Sequence, residues 1–189
     1  MTRACYITII ACWIFFVVYW AISARGLKPV VEREALLSGL LYRVPMSLGG
    51  ILLLFQGLPF PLGLELTPHG RPVRILAAVV CLLGLLLAIW SRRTLAGNWS
   101  SNVTFKSNHE LIQAGPYRLA RHPIYTGLLL MALGTALAVG QLRAWLGLLL
   151  LFGGICVKLR QEETLLLRHF PETYPSYQKR VKALIPFLF

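Results

Sequence analysis

The stretch GPYRLARHPIYTG, residues 115–127, sets two arginines, a histidine and two tyrosines around a proline, directly ahead of an apolar run. Pro123 suits the first position of a helix, where its missing N–H costs nothing, and it disfavours helical geometry at His122. A helix therefore begins here and continues through the apolar residues 124–139. The free N–H groups and positive dipole end of its first turn suit an anionic group such as a carboxylate, with His122 and Tyr125 beside it. A plainer arrangement uses the same residues: Arg118 and Arg121 at lipid headgroups, His122 as a helix cap and Tyr125 in the interfacial aromatic belt.

The surroundings of this stretch are those of a membrane protein. The chain has 189 residues, of which 57% are apolar and only 14% charged, an unusual balance for a soluble domain. A bilayer crossing takes about 20 largely apolar residues. Besides 124–139, segments 6–22, 44–62, 73–90 and 145–157 approach that length, the last continuing as a polar helix past Arg160. Prolines 45, 59 and 61 interrupt the second of them. The prediction is an all-α, polytopic membrane protein of about five transmembrane helices in one domain, residues 1–90 forming a scaffold and residues 91–189 carrying the polar chemistry. The first span, with Trp13, Phe15, Phe16, Tyr19 and Trp20 in its second half, reads as a retained anchor rather than a signal peptide.

Charge orients the spans. A formal charge of +12 raises the question of nucleic acid, but the basic residues follow the loops and form no basic run with interleaved aromatics, so no nucleic-acid partner is expected. With the N-terminus outside and the C-terminus in the cytoplasm, all nineteen Lys and Arg except Arg3, Arg71, Arg74 and Arg143 fall on the inner side, Lys28, Arg33 and Lys106 among them. The four cysteines, Cys5, Cys12, Cys81 and Cys156, lie in or beside apolar spans without metal-ligand spacing and are read as small buried hydrophobes, with no metal expected.

A second polar stretch, RQEETLLLRHFPETYPSYQKRV, occupies residues 160–181. Adjacent carboxylates at Glu162 and Glu163, on the inner end of an apolar helix, are costly unless paired or solvated. The plain partners are four residues away, Lys158 for Glu162 and Arg168 for Glu172. On a helix Glu162 and His169 share a face while Arg168 points elsewhere, so Glu162 and Arg168 meet one ligand only if the helix bends or ends between them, for which Pro171 supplies a reason.

The two stretches together resemble the C-terminal motifs of the isoprenylcysteine carboxyl methyltransferase family in its short prokaryotic form. Arg121-His122-Pro123 with Tyr125 and Gly127 matches the first motif, and Glu162-Glu163 with Leu166, Phe170, Tyr174, Tyr177 and Val181 the second. The resemblance covers the chain from about Leu95 onward; Pro171 stands where a glycine is usual and Lys182 where a proline is common. It implies an integral membrane enzyme whose cytoplasmic C-terminal segment and last two spans bind S-adenosylmethionine, with residues 91–189 as the catalytic half. The implied acceptor is lipophilic and met in the bilayer, foremost the carboxylate of a prenylated cysteine. Gln113, Gly115, Tyr117, His122, Pro123, Tyr125 and Glu162 are implied around the cofactor. Arg168 is implied at the methyl acceptor, acting with Glu162 in catalysis, and Asn98 and Trp99 at the substrate cavity. Phospholipid or other amine or thiol acceptors, an NADPH-dependent membrane reductase similar to the sterol reductases, and a nonenzymatic membrane protein are the alternatives. The last leaves the paired motifs unexplained. Methyl transfer from a sulfonium to a carboxylate merges opposite charges, so exclusion of water and alignment suffice, without metal or covalent intermediate.

Overall fold

The computed structural model describes residues 2–25, 29–55, 57, 59–68, 70–100, 102–106 and 110–185; Lys28 lies outside them, and Arg33 and Lys106 are described by their backbone alone. The chain runs through α1 (Thr2–Ser23), β1 (Val30–Arg33), α2 (Leu36–Leu54), α3 (Arg71–Leu95), β2 (Thr104–Lys106), α4 (Pro123–Val139), α5 (Leu142–His169) and α6 (Tyr174–Arg180). Short 3₁₀ turns lie at Ala96–Asn98 and Gly115–Arg118. Helices α1, α2, α3 and α5 have the length and apolar composition to cross a membrane, and α4, at 17 residues, is apolar but shorter. The protein is an all-α, multi-pass integral membrane protein. Strand β1 pairs antiparallel with β2 in a two-stranded ribbon, Glu32 opposite Phe105 and Arg33 opposite Thr104.

The second span departs from expectation. It occupies Leu36–Leu54, eight residues nearer the N-terminus than the apolar run 44–62. Pro59 and Pro61 cannot continue a helix, whereas Pro45 is accommodated inside α2. The polar residues just ahead of that apolar run find partners in the fold. The Tyr42 hydroxyl donates to Glu34 at 2.6 Å, and Arg43 pairs with the same carboxylate. The last span is also longer than its apolar part, one unbroken helix to His169.

Helices pair as α3 with α4 and α2 with α5, α1 lies on α3, and α4 meets α5 to join the pairs. Small residues make these contacts, as expected where lipid offers no hydrophobic drive for association. A Cβ added to Gly84 would come within 2.6 Å of the Gly127 carbonyl oxygen, and one on Gly127 equally close to that of Gly84. Gly49 and Gly147 approach in the same way between α2 and α5. Around these contacts sit Ala77, Cys81, Leu85 and Met131 on one side of α4, and Ala132, Ala136, Leu151 and Ile155 on the other. Of the four cysteines expected to be buried, Cys12 and Cys81 lie in this core, while Cys5 and Cys156 are only half-buried.

The far end is tied by backbone hydrogen bonds and one buried arginine. Gly140, with φ +69°, caps α4, and its carbonyl accepts from the N–H groups of Leu66 (2.7 Å) and Thr67 (3.1 Å). Arg143, counted by sequence merely as an outer charge, is buried and donates to the Leu52 and Leu53 carbonyls at 2.8 and 3.3 Å, satisfying the open end of α2.

Candidate active site

At the opposite end the C-terminal segment folds back over the start of α4. The Arg121 N–H donates to the Lys182 carbonyl (2.8 Å) and the His122 N–H to that of Ala183 (2.9 Å), while the Thr126 hydroxyl reaches Leu184 O at 2.8 Å. Because this contact uses the Lys182 carbonyl, which a proline also offers, the departure from the motif there leaves it intact. Tyr177 of α6 donates to Tyr117 O at 2.6 Å, fixing the 3₁₀ turn. Burial pushes the Tyr177 hydroxyl up to about 12 and raises those of Tyr117 and Tyr174, so all three stay neutral.

The two adjacent carboxylates take their partners from α4 and its approach. Glu163 Oε1 accepts from Arg121 Nε at 2.8 Å and lies 3.1 Å from His122 Nε2, and its Oε2 accepts from Gln178 at 3.0 Å. Arg121 also donates to the carbonyls of Gln178 (3.3 Å) and Val181. Glu162 accepts the Tyr125 hydroxyl at 2.5 Å and sits 3.4 Å from His122 Nδ1. His122 thus stands between both acids, its ring stacked on Tyr125 with centroids 5.8 Å apart. The anionic groups gathered at the start of α4 are therefore the chain's own. Lys158, one turn before Glu162, is buried with its ammonium over the Tyr42 ring (5.1 Å) and the Tyr125 ring (5.5 Å).

Burial alone would push the His122 pKa down, but its bonds to Glu162 and then Glu163 outweigh this and raise it. The stability it lends is complete below the ordinary imidazole value of about 6.5 and fades as pH rises through the higher folded value. In detergent, the unfolding temperature of the wild type should exceed that of His122→Gln by a margin that narrows as pH rises above the ordinary imidazole value of about 6.5. A margin flat with pH would show that His122 titrates alike in the folded and unfolded protein, so that its bonds to the two acids do not outweigh burial.

Above these carboxylates opens a cavity of about 870 Å³, counting the part open to solvent, within the usual range of small-molecule sites. Asn98, Trp99, Tyr117, His122, Tyr125 and Glu162 all line it, so six of the residues expected at the site are brought together. Four are not. Gln113 accepts from Arg180 at 3.0 Å on the surface; Gly115, at φ +58°, packs against Thr94; Pro123 is buried at the first position of α4. Arg168 lies outside the cavity, pairing at 3.2 Å with Glu32 of β1 rather than with Glu172. The reason is the unbroken α5, which leaves Arg168 on a different face from Glu162. His169, on the Glu162 face but two turns further along, also reaches Glu32, at 2.7 Å. Sequence reading left out Arg121, Tyr174 and Tyr177 as cavity residues, though all three belonged to the quoted motifs. It also missed Glu110 and Thr104, for which no local signal exists.

This arrangement of spans, carboxylates and C-terminal cover matches known proteins. Residues 73–173, more than half of the chain, match the phospholipid methyltransferase family. The chain belongs to that family. Among the relatives of this phospholipid methyltransferase family member, the protein-S-isoprenylcysteine O-methyltransferase of Saccharomyces cerevisiae is 28% identical over 189 residues, covering 95% of this chain and 78% of the yeast protein. That of Schizosaccharomyces pombe is 33% identical over 94 residues, 48% of this chain and 40% of its own length. A solved eukaryotic intramembrane Ras methyltransferase, isoprenylcysteine carboxyl methyltransferase, shares the fold, with a TM-score of 0.56 at 24% identity over 84% of this chain. The chain spans 55% of that structure, about half its length.

Proposed function

We propose that the protein transfers a methyl group from S-adenosylmethionine to a lipophilic acceptor, foremost the carboxylate of a prenylated cysteine, in a site open to the cytoplasm. The single observation that carries this reading is the cavity built by both motifs, with Glu162 in its wall held by Tyr125 and His122. Its lining suits such a donor. Trp99, Tyr117 and Tyr125 offer ring faces, and Asn98, Glu110 and Glu162 offer acceptor oxygens, a set matched to a purine and to positive charge. When bound, S-adenosylmethionine supplies a methyl group activated by a sulfonium. The chain's part is to bind and orient. Glu162 takes polar groups of the adenosyl moiety, Asn98 and Trp99 close the side towards the turn after α3, and Gln113, Gly115 and Pro123 shape the surrounding backbone. Arg168, off the cavity, serves the acceptor side. The apolar packing of α2, α4 and α5 beneath excludes water, which favours merging a sulfonium with a carboxylate. The basic residues gathered at the cavity end support its cytoplasmic placement.

S-adenosylhomocysteine should raise the unfolding temperature of the detergent-purified protein in a concentration-dependent way, and a reduced nicotinamide should not. Stabilisation by the nicotinamide instead would replace methyl transfer with reduction.

A further inference from the structure

A separate recess lies where the end of α1 meets the end of α3. It encloses about 470 Å³, counting the part open to solvent, and Tyr19, Ser23, Arg25, Arg92, Arg93 and Ala96 line it. Three of these are arginines, and no acidic residue among the described ones lines the recess. It shares no described residue with the wall of the main cavity.

Arg92 is the unusual member. It is 4% exposed, its Nη1 donates to Ala96 O at 2.7 Å, its Nη2 donates to the Ser23 carbonyl, and its guanidinium lies over the Trp99 ring at 4.6 Å. The Nε–H is buried with no acceptor. These partners are neutral dipoles and a ring face, whereas a buried charge is costly unless an opposite charge meets it. A purely structural arginine that ties α1 to α3 accounts for the two carbonyl contacts. It does not account for the exposed Arg25 and Arg93 gathered beside it, which add to the positive charge instead of offsetting it.

The surface next to the recess is apolar. Tyr19 stacks on Phe15, one turn back along α1, with centroids 6.2 Å apart. Phe15, Val18 and Ile22 of α1 are about half exposed, as are Leu86 and Trp90, which share the Arg93 face of α3. Both helices are long and apolar enough to cross a membrane, so these side chains meet hydrocarbon. A planar guanidinium fork matches phosphate oxygens, and basic pockets between spans suit anionic headgroups. We propose that this recess binds the phosphate of an anionic membrane lipid, Arg25 and Arg93 holding its oxygens above the buried Arg92 while its acyl chains lie along α1 and α3. The site is independent of the methyl-transfer reading.

The test titrates the full chain in neutral detergent with dioleoyl phosphatidylglycerol, dioleoyl phosphatidylcholine or inorganic phosphate and follows the unfolding temperature. Phosphatidylglycerol should raise it saturably, and the other two at the same concentration should not. Arg25→Gln and Arg93→Gln should each raise the phosphatidylglycerol concentration needed for half the effect about fivefold, the worth of one basic residue at an anionic membrane surface. Both side chains are exposed, so without lipid the variants should unfold close to the wild-type temperature. Arg92 is unsuited to substitution because its bonds join α1 to α3. Arg160→Gln removes an exposed charge that does not line the recess, and should shift the half-effect by less than about twofold. Equal stabilisation by phosphatidylcholine, an unshifted half-effect in both rim variants, or an equal shift in Arg160→Gln overturns the site. Equal stabilisation by inorganic phosphate overturns the lipid as its occupant and leaves a site for the free ion.

Discussion

Glu162→Ala is expected to lower S-adenosylhomocysteine affinity by tenfold or more. The carboxylate lines the cavity already oriented, one oxygen accepting from Tyr125 at 2.5 Å and the other 3.4 Å from His122. A hydrogen bond to a charged group contributes about 1.5 to 3 kcal/mol, and each 1.4 kcal/mol is about tenfold in affinity. Glu162→Gln keeps an acceptor oxygen while losing the charge, and should fall between wild type and Ala. Arg168→Ala should change the same affinity by less than about threefold, because its guanidinium pairs with Glu32 outside the cavity. Calorimetric titration of the three variants gives the ranking. If Glu162→Ala binds as tightly as wild type, the cavity is not the donor site; if Arg168→Ala matches Glu162→Ala, the donor site reaches beyond the cavity to Arg168.

The second large effect is on the fold itself. Gly127→Leu should cost about 3 kcal/mol or more, at or beyond the upper end of ordinary overpacking, since its new Cβ would lie 2.6 Å from the Gly84 carbonyl and 2.8 Å from the Ala88 N–H nitrogen. Backbone cannot yield as a side chain tip can, so α3 and α4 must move apart. Gly127 lies a little over one turn beyond His122, so donor binding should fail together with stability. Gly153→Leu provides the contrast, because a Cβ there meets nothing within 4 Å, and its unfolding temperature should stay close to wild type. Thermal unfolding of the two variants in the same detergent decides the matter. Comparable stability would mean that the α3–α4 contact is looser than its backbone distances indicate.

Much of this protein was legible before any tertiary contact was known, because the signals were local. Apolar runs approaching the length of a bilayer crossing marked α1, α3, α4 and α5, and Pro123 placed the start of α4 to the residue. Adjacent Glu162 and Glu163 on an apolar helix announced that partners had to exist. Where local signals conflicted, as for α2, hydropathy pointed eight residues too far along, because the partners that make Tyr42 and Arg43 acceptable at the start of that helix come from Glu34 after the ribbon strand.

Only the tertiary structure decided who pairs with whom. Four-residue spacing offered Lys158 and Arg168 as partners for the acids. The fold gives Glu163 to Arg121, His122 and Gln178, adds Tyr125 and His122 to Glu162 beside the attraction of Lys158, and sends Arg168 to Glu32 rather than to Glu172. These contacts bridge up to 42 residues within the acid cluster and 136 for Arg168 with Glu32, and depend on how α4, α5 and β1 are turned towards one another. Backbone approaches at Gly84 with Gly127 hold α4 against α3, and those at Gly49 with Gly147 hold α5 against α2. A single sequence shows each glycine but not which glycine it faces, since helical periodicity describes one helix at a time while close packing is a property of two.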